Sequence, residues 1–261
     1  SQRMVDTLRA VDLILAEDTR HSRRLLDHFG IDTPMRSYHE HSGPEDIEGI
    51  VEFLATGKRV ALISDAGTPL ISDPGYRLLE RVRDEGYRVS PIPGPCAAVS
   101  ALSAAGLATD TFVFAGFLPS KEQARRSRIE ALTRLDCTVV FYEAPHRIGA
   151  LIDELIALCG AERPARLAKE LTKVHEAIVG ETLADLAAWL ANDGRRQRGE
   201  FVVLVQGEAG DSDAARDVET LRVLLAHLTP AAAVKVAQQL TGAKRNRLYE
   251  LAQQLSKPGS D

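Results

Sequence analysis

The stretch Val60-Ala61-Leu62-Ile63-Ser64-Asp65-Ala66-Gly67-Thr68-Pro69 joins a short apolar run to a polar loop. A second loop, Ser72-Asp73-Pro74-Gly75, and the tight turn Pro91-Ile92-Pro93-Gly94-Pro95-Cys96 lie shortly after it. Proline fixes φ, and glycine permits backbone shapes that other residues resist. These rigid loops follow predicted strands, which is where open α/β sheets bind ligands. The stretch therefore predicts an α/β fold with a binding site at the strand ends.

Strand and helix patterns alternate through the first half of the chain, which predicts a mainly parallel sheet there. We predict strands near 11–16, 35–41, 60–63 and 88–92 in this half, and near 112–116, 137–142, 166–169, 175–179 and 201–205 in the second. Thr19 is expected to cap a helix that runs through Phe29, because threonine is a favoured N-cap. We predict α/β domains at 1–108 and 109–207, a polar linker at 207–214 and a helical module at 215–258.

Composition narrows the function classes. The chain has 261 residues and a formal net charge of -5, so RNA binding would have to come from local basic patches. No apolar run approaches the roughly 20 residues that cross a membrane, and no signal peptide precedes the first amphipathic stretch. Three unclustered cysteines indicate reduced thiols rather than a zinc site. We therefore expect a cytoplasmic protein with no metal and no membrane contact.

Several motifs carry a family resemblance when taken together. They occur in one order, at 17–20, 64–69, 72–75, 93–98, 141–147, 169–173 and 199–202. This ordered set closely resembles the ribosomal RNA small subunit methyltransferase I family, of the tetrapyrrole methylase superfamily. The resemblance implies an S-adenosylmethionine (SAM) dependent 2′-O-methyltransferase that acts on a cytidine of 16S ribosomal RNA in the small subunit. It also implies two α/β domains of tetrapyrrole methylase type, a cofactor cleft between them, and a homodimer.

The start of the chain departs from the family pattern. Family members begin with a strand and a Thr-Pro-Ile-Gly-Asn-Leu-like loop ahead of the first helix, whereas this sequence starts at about that helix. We therefore expect one edge of the cofactor cleft, and part of the RNA-facing surface, to be absent from it.

The Asp65–Pro69 loop offers backbone N–H groups, a hydroxyl and a carboxylate, which suit the amino and carboxylate groups of SAM. The alternative is a rigid turn without a ligand. The small residues of Cys96-Ala97-Ala98 would let a ligand carboxylate approach a helix N-terminus, or would allow close helix–sheet packing. The resemblance places further residues around the adenosine, although a Phe-Tyr pair ending a strand is more often core. The candidate cofactor residues are Asp65, Ala66, Gly67, Thr68, Pro69, Ile71, Cys96, Ala97, Ala98, Tyr142, Glu143, Glu170, Leu171, Gly199, Glu200 and Phe201.

The candidate catalytic residues are Glu17, Asp18 and Arg20, which follow a predicted strand. A 2′-hydroxyl is a weak acid that must be held in line with the methyl group while it loses its proton. Asp18 would orient or deprotonate it, and Arg20 would hold a phosphate. Without the resemblance, a helix N-cap and a surface charge are the favoured interpretations. His39 and His41 share a strand face, but no third metal ligand is evident.

Four basic clusters lie in this acidic chain, either as solvated faces or as an RNA-binding surface. The candidate RNA-binding residues are Arg23, Arg24, Arg125, Arg126, Arg128, Lys244, Arg245 and Arg247. The last three belong to the helical module, for which a helix-turn-helix and a helical cap on the body are equally supported. Two other functions stay open: a methylase of a small tetrapyrrole-like substrate, and a non-catalytic ribosome-binding module. The sequence lacks a GxGxxG fingerprint, so a dinucleotide site is unsupported.

Overall fold

The structure is a computed structural model that describes residues 1–208 and 212–256, with side chains described at 1–208 and 217–255. It divides into two compact units, Ser1–Ala101 and Leu102–Asp261. The domain limits inferred from the sequence, 1–108, 109–207 and 215–258, stay a prediction, and residues 257 and 258 lie outside the described part of the chain.

The first unit is built around a parallel three-stranded sheet. Its central strand, β1 (Leu13–Ala16), lies between β2 (Met35–Ser37) and β3 (Val60–Ile63). Successive residues of β1 face opposite sides, as the strand period requires. Ile14 packs with the first two helices, and Leu15 packs with the next two. Both faces of the sheet are therefore covered. The elements are α1 (Gln2–Ala10), β1 (Leu13–Ala16), α2 (Thr19–His28), β2 (Met35–Ser37), α3 (Pro44–Ala55), β3 (Val60–Ile63), α4 (Tyr76–Asp84) and α5 (Ala97–Ala105), which runs past the unit boundary.

The strand predicted at 88–92 is wrong, because this segment pairs with no described strand. A strand exists only through the hydrogen bonds of a neighbour, and Pro91 has no N–H to give. Within the described part of the chain, β3 is paired on one side only. An apolar pattern next to a Pro-rich turn therefore did not specify a strand.

The second unit holds a mixed five-stranded sheet in the order β4-β5-β8-β6-β7. β4 and β5 are parallel, and the other neighbours are antiparallel. Three helices pack on one face, around the fully buried Phe141, Leu167 and Val203. The elements are β4 (Phe112–Phe117), α6 (Glu122–Thr133), β5 (Thr138–Glu143), α7 (Ile148–Cys159), β6 (Ala165–Lys169), β7 (Ala177–Val179), α8 (Leu183–Ala191), a 3-10 turn (Gly194–Gln197) and β8 (Phe201–Gln206).

Three further helices close the chain as a small bundle with its own core. They are α9 (Ser212–Leu225), α10 (Pro230–Thr241) and α11 (Arg245–Ser256). Leu221, Val234 and Leu248 meet at the centre of the bundle. Gly242 takes φ 74° in the short turn between α10 and α11, the geometry of a helix-turn-helix. The predicted linker at 207–214 ends too late, because α9 begins at Ser212; residues 209–211 lie outside the described part. No helix among the described residues is long and apolar enough to span a membrane.

Candidate functional site

The candidate catalytic segment and the first candidate cofactor loop meet at the carboxyl ends of β1 and β3. These strands are parallel neighbours, so the residues that follow them emerge at the same sheet edge. The backbone N–H of Asp18 donates to Oδ1 of Asp65 at 3.1 Å. Two segments that lie far apart in the sequence are thereby joined.

Asp18 is the N-cap of α2, as its alternative interpretation predicted, and Thr19, also expected to cap, is the first residue of the helix. Its carboxylate accepts from the backbone N–H groups of Arg20 and His21. It also accepts from Nε and Nη2 of Arg20 at 3.3 and 3.1 Å. The Arg20 side chain, together with these backbone donors, lowers the pKa of Asp18 to about 2. A carboxylate this acidic is a weak base, so Asp18 is better suited to orienting a neighbouring group than to accepting a proton.

Glu17 has the opposite environment. Desolvation raises its pKa first, and the nearby carboxylates of Asp65, Asp73 and Glu40 raise it further. Asp73 likewise has a raised pKa, caused by desolvation and then by Asp65. No salt bridge among the described residues supplies a cation to Glu17, Asp65 or Asp73. This sheet edge is therefore a cluster of carboxylates that repel one another.

The loops around this cluster are fixed by backbone contacts and contain strained residues. The Thr68 hydroxyl donates to the carbonyl of Pro95 at 2.8 Å, which ties the first cofactor loop to the turn before α5. Leu70 and Ser72 adopt φ of 71° and 69°. Positive φ in non-glycine residues costs about 1–3 kcal/mol each and is common at binding sites.

The remaining candidate residues of the first unit lie on the same loops or in the first turn of α5. Ala66, Gly67 and Ala97 are exposed, Ile71 is 38% exposed, and Pro69 and Cys96 are half-buried. Ala98 is buried, which fits close packing of α5.

In the second unit, Glu143 ends β5 with a buried carboxylate. Its Oε1 accepts from the N–H of Ala144 at 2.8 Å and lies 3.2 Å from Nε of Arg147. Its Oε2 is buried without a hydrogen-bond partner among the described residues. Burial raises the pKa of Glu143. An orphaned acceptor of this kind requires an explanation, and a bound donor is one.

Tyr142 lies beside Glu143 in an aromatic group. Its ring meets Phe114 and Phe117 edge-on, with centroids 4.9 and 5.7 Å apart. Phe117 is 56% exposed, so this group reaches the surface. Phe201 is buried and pairs with both Glu143 and Lys169 across the sheet. It belongs to the core beneath these loops.

The Glu170 and Gly199 segments are joined by a dense network. The backbone N–H of Glu200 donates to Oε1 of Glu170 at 2.9 Å, and the N–H of Glu170 donates to the carbonyl of Glu200 at 3.0 Å. Nζ of Lys173 lies 2.9 Å from Glu170 and 3.1 Å from Glu200. The hydrogen bond from Lys173 lowers the pKa of Glu170. Leu171 is held at half-burial inside this turn.

Gly199 is required at its position in this network. It adopts φ +100°, and an added Cβ would meet the Glu170 side chain at 2.6 Å. Glu170 and Thr172 also have positive φ, at 49° and 67°. The Glu170 turn therefore repeats the strain seen in the first unit, at residues again spaced two apart.

The candidate RNA-binding residues fall into two groups. Arg125 forms a bidentate pair with Glu154, with Nε–Oε2 at 2.7 Å and side chains only 14% and 12% exposed. Arg247 pairs with the buried Asp217 at 3.5 Å. The other candidates form no salt bridge with any side chain that the structure describes: Arg23, Arg24, Arg126, Arg128, Lys244 and Arg245.

The two histidines of the β2 loop lie near each other. His39 and His41 lie with ring centroids 6.0 Å apart. No group of three or more potential ligands among the described residues is arranged to hold a metal ion.

Comparison with known proteins places the chain in a family. Residues 1–187 match the family described as Tetrapyrrole (Corrin/Porphyrin) Methylases, and residues 211–256 match the RsmI C-terminal HTH domain. A ribosomal RNA small subunit methyltransferase I of Xylella fastidiosa is 47% identical, covering 95% of this chain and 92% of the relative. That of Pseudomonas aeruginosa is 48% identical, covering 97% and 92%. The chain belongs to the ribosomal RNA small subunit methyltransferase I family.

Solved structures support the fold of this methyltransferase family. Cobalt precorrin-4 methyltransferase CbiF aligns with a TM-score of 0.57 at 18% identity, covering 80% of this chain and 89% of that one. Diphthine synthase aligns with a TM-score of 0.59 at 17% identity, covering 80% and 84%. The predicted tetrapyrrole methylase fold and the predicted enzyme class are confirmed. The helix-turn-helix match likewise favours that interpretation of the tail over a helical cap.

Two charged residues of the candidate site were missed by the sequence reasoning. Asp73 lies on the second Pro-Gly loop, and Lys173 lies three residues after Glu170. Both belong to the motifs that carry the resemblance. The proximity of Asp73 to Glu17 and the contact of Lys173 with Glu200 depend on the folded loops.

Proposed function

We propose that this chain transfers a methyl group from SAM to the ribose 2′-hydroxyl of a cytidine in 16S ribosomal RNA of the small subunit. The relatives are named for acting on small-subunit ribosomal RNA. The observation that carries the proposal is the hydrogen bond between Asp18 and Asp65 at the ends of two parallel strands. Beside it lie the carboxylates of Glu17, Asp65 and Asp73, to which no salt bridge among the described residues supplies a cation. That cluster suits a ligand that is positively charged at both its sulfonium and its amino group.

The residues present fit SAM in both units. In the first, Glu17, Asp65 and Asp73 provide negative charge for its cationic end, and the loop N–H groups provide donors for its carboxylate. In the second, Oε2 of Glu143 provides a buried acceptor for a ribose hydroxyl. Tyr142 and Leu171 provide apolar surface for an adenine.

When bound, SAM supplies an electrophilic methyl whose C–S bond breaks as the 2′-oxygen forms the new C–O bond. Glu17 takes the proton of the 2′-hydroxyl, because its raised pKa makes it the stronger base of the catalytic candidates. Asp18 orients Arg20 and the start of α2. Arg20, whose side chain is 91% exposed, holds a phosphate of the RNA.

The proposal extends to partners and location. The exposed arginines of α2 and α6 engage RNA phosphates, the protein acts in the cytoplasm, and two copies form a homodimer. The alternatives, a small-molecule methylase and a non-catalytic ribosome-binding protein, are less favoured, because the relatives are ribosomal RNA methyltransferases over nearly the whole chain.

Labelled methyl transfer tests the proposal. The chain is titrated with SAM by calorimetry and then incubated with methyl-labelled SAM and small subunits, naked 16S RNA or a tetrapyrrole. Label should enter the RNA. The phosphodiester bond on the 3′ side of one cytidine should then resist alkaline cleavage, as a 2′-O-methyl group requires. Label in the tetrapyrrole alone, or SAM binding without any transfer, would contradict it.

A further inference from the structure

The helical module contains a charged group that its core does not explain. Asp217, on α9, is 1% exposed. Within the described side chains, neither of its carboxylate oxygens has a hydrogen-bond donor. Burying a carboxylate without hydrogen-bond donors is costly, and a neutral residue of similar size would fill the space without that cost.

Arg247 is the partner of this carboxylate. Its Nε lies 3.5 Å from Oδ2 of Asp217, while its side chain stays 45% exposed. Arg247 is the third residue of α11, so the carboxylate also lies beside the first turn of a helix, where the helix dipole favours negative charge. The contact uses the inner nitrogen of the guanidinium and leaves the outer part of the group accessible to solvent.

The surroundings of Arg247 are basic and exposed. Lys244 and Arg245 precede it at the start of α11, and Tyr249, 50% exposed, follows it. α11 is the second helix of the helix-turn-helix, the position that meets nucleic acid in such motifs. Arginine forks recognise phosphate bidentately, and they do so best when their orientation is fixed beforehand.

We infer that Asp217 is a positioning residue, which holds Arg247 across α9 and α11 so that its guanidinium binds a phosphate of the RNA substrate. The inference rests on the proposed function, since it concerns how the same substrate is held. It assigns the buried charge a purpose: Asp217 reduces the freedom that Arg247 would lose on binding. A surface arginine without such a partner would form the same contact with lower affinity.

A double-mutant cycle on the full chain tests this inference. Asp217→Asn and Arg247→Met are prepared singly and together, with Arg222→Met as the matched control. Arg222 lies on α9 in an exposed pair with Glu219. The affinity for a small-subunit RNA fragment is measured over a range of salt concentrations, at a temperature where melting curves show every variant folded.

Arg247→Met should weaken RNA binding by about tenfold and reduce the salt slope by about one, as the removal of one phosphate-binding cation predicts. Asp217→Asn should weaken binding several-fold in the parent chain and have no effect in the Arg247→Met chain, because coupled residues are not additive. Arg247→Lys should have the salt slope of the parent chain but a lower affinity for the RNA. Arg222→Met should match the parent.

Several results would overturn the inference. Additive losses would make Asp217 a purely structural residue, and an unchanged affinity in Arg247→Met would remove Arg247 from the RNA interface. Methyl transfer is measured on the same variants. A parent chain that methylates RNA while the cycle shows no coupling refutes the positioning role alone, whereas a parent that neither binds nor methylates RNA refutes the proposed function as well. Tighter binding to an acidic protein than to RNA would reassign the surface.

Discussion

Two strained loops, 64–75 in the first unit and 170–176 in the second, are alike in backbone and differ in whether a cation pairs with their carboxylates. Each has two non-glycine residues with positive φ, spaced two apart. In the second, Lys173 forms salt bridges with Glu170 and Glu200 and lowers the pKa of Glu170. In the first, Asp73 and the neighbouring Glu17 have raised pKa values, and no salt bridge among the described residues engages either of them. We propose that this difference separates carboxylates that stabilise a loop from carboxylates that bind a positively charged ligand.

The largest effect is expected at Glu17, which we propose to take part in the reaction and not to stabilise a loop. Glu17→Gln should lower the single-turnover methylation rate by about 100-fold, the scale of losing a general base. SAM affinity should change far less. Rapid-quench kinetics at saturating SAM measures the rate. A variant with normal turnover would remove Glu17 from catalysis and return attention to Asp18.

A smaller effect is expected at Lys173, which holds the second loop. Lys173→Met leaves Glu170 and Glu200 facing each other without a cation, so the turn loosens. SAM affinity should fall by about tenfold, the scale of one charge-assisted hydrogen bond. Lys173→Arg should restore most of it. Calorimetry measures both variants, with the exposed Lys235 of α10 changed to Met as the control. Equal affinity in all three would mean that the network is not needed for the cofactor.

The arginines of α6 also differ in whether a described side chain pairs with them. Arg125 is committed to Glu154, whereas Arg126 and Arg128 are not. Replacing Arg126 and Arg128 together by Met should lower the slope of log affinity against log salt by about one for each phosphate that the variant no longer binds. Arg125→Met should instead lower stability, by about 3 kcal/mol for a broken buried pair, and leave the slope unchanged. The reverse pattern would make Arg125 the residue that binds RNA.

The smallest effect is on stability. The raised pKa of Glu17 means that the folded state binds its proton more tightly than the unfolded state. The contribution of Glu17 to the free energy of unfolding is therefore favourable below its pKa in the unfolded state, near 4.5. It is lost as pH rises through its pKa in the folded state. Glu17→Gln should raise the melting temperature by about 2 °C at pH 7, and by nothing below pH 4.5. Scanning calorimetry at both pH values checks the sign.

Much of this architecture follows from sequence patterns, because the determinants are local. The strand at 60–63 was predicted at its observed bounds, because its apolar run ends at a polar loop. The strand predicted at 88–92 failed because pairing depends on a distant neighbour. Asp18 and Asp65 were separate candidates in the sequence, and their contact follows only from the parallel pairing of β1 with β3. The contacts of Lys173 with Glu200 and of Arg247 with Asp217 join separate segments, which no local pattern encodes.

The central claim is that the carboxylates at the ends of β1 and β3 receive the cationic end of the cofactor. The most direct test is calorimetric affinity for SAM and for S-adenosylhomocysteine, which lacks the sulfonium charge, from about pH 4 to about pH 8, the range that brackets an ordinary and a raised carboxyl pKa. We expect the affinity for SAM to increase relative to that for S-adenosylhomocysteine as pH rises through the raised pKa of Glu17, and Glu17→Gln to reduce this increase. A constant affinity ratio across this range, in both proteins, would contradict the claim.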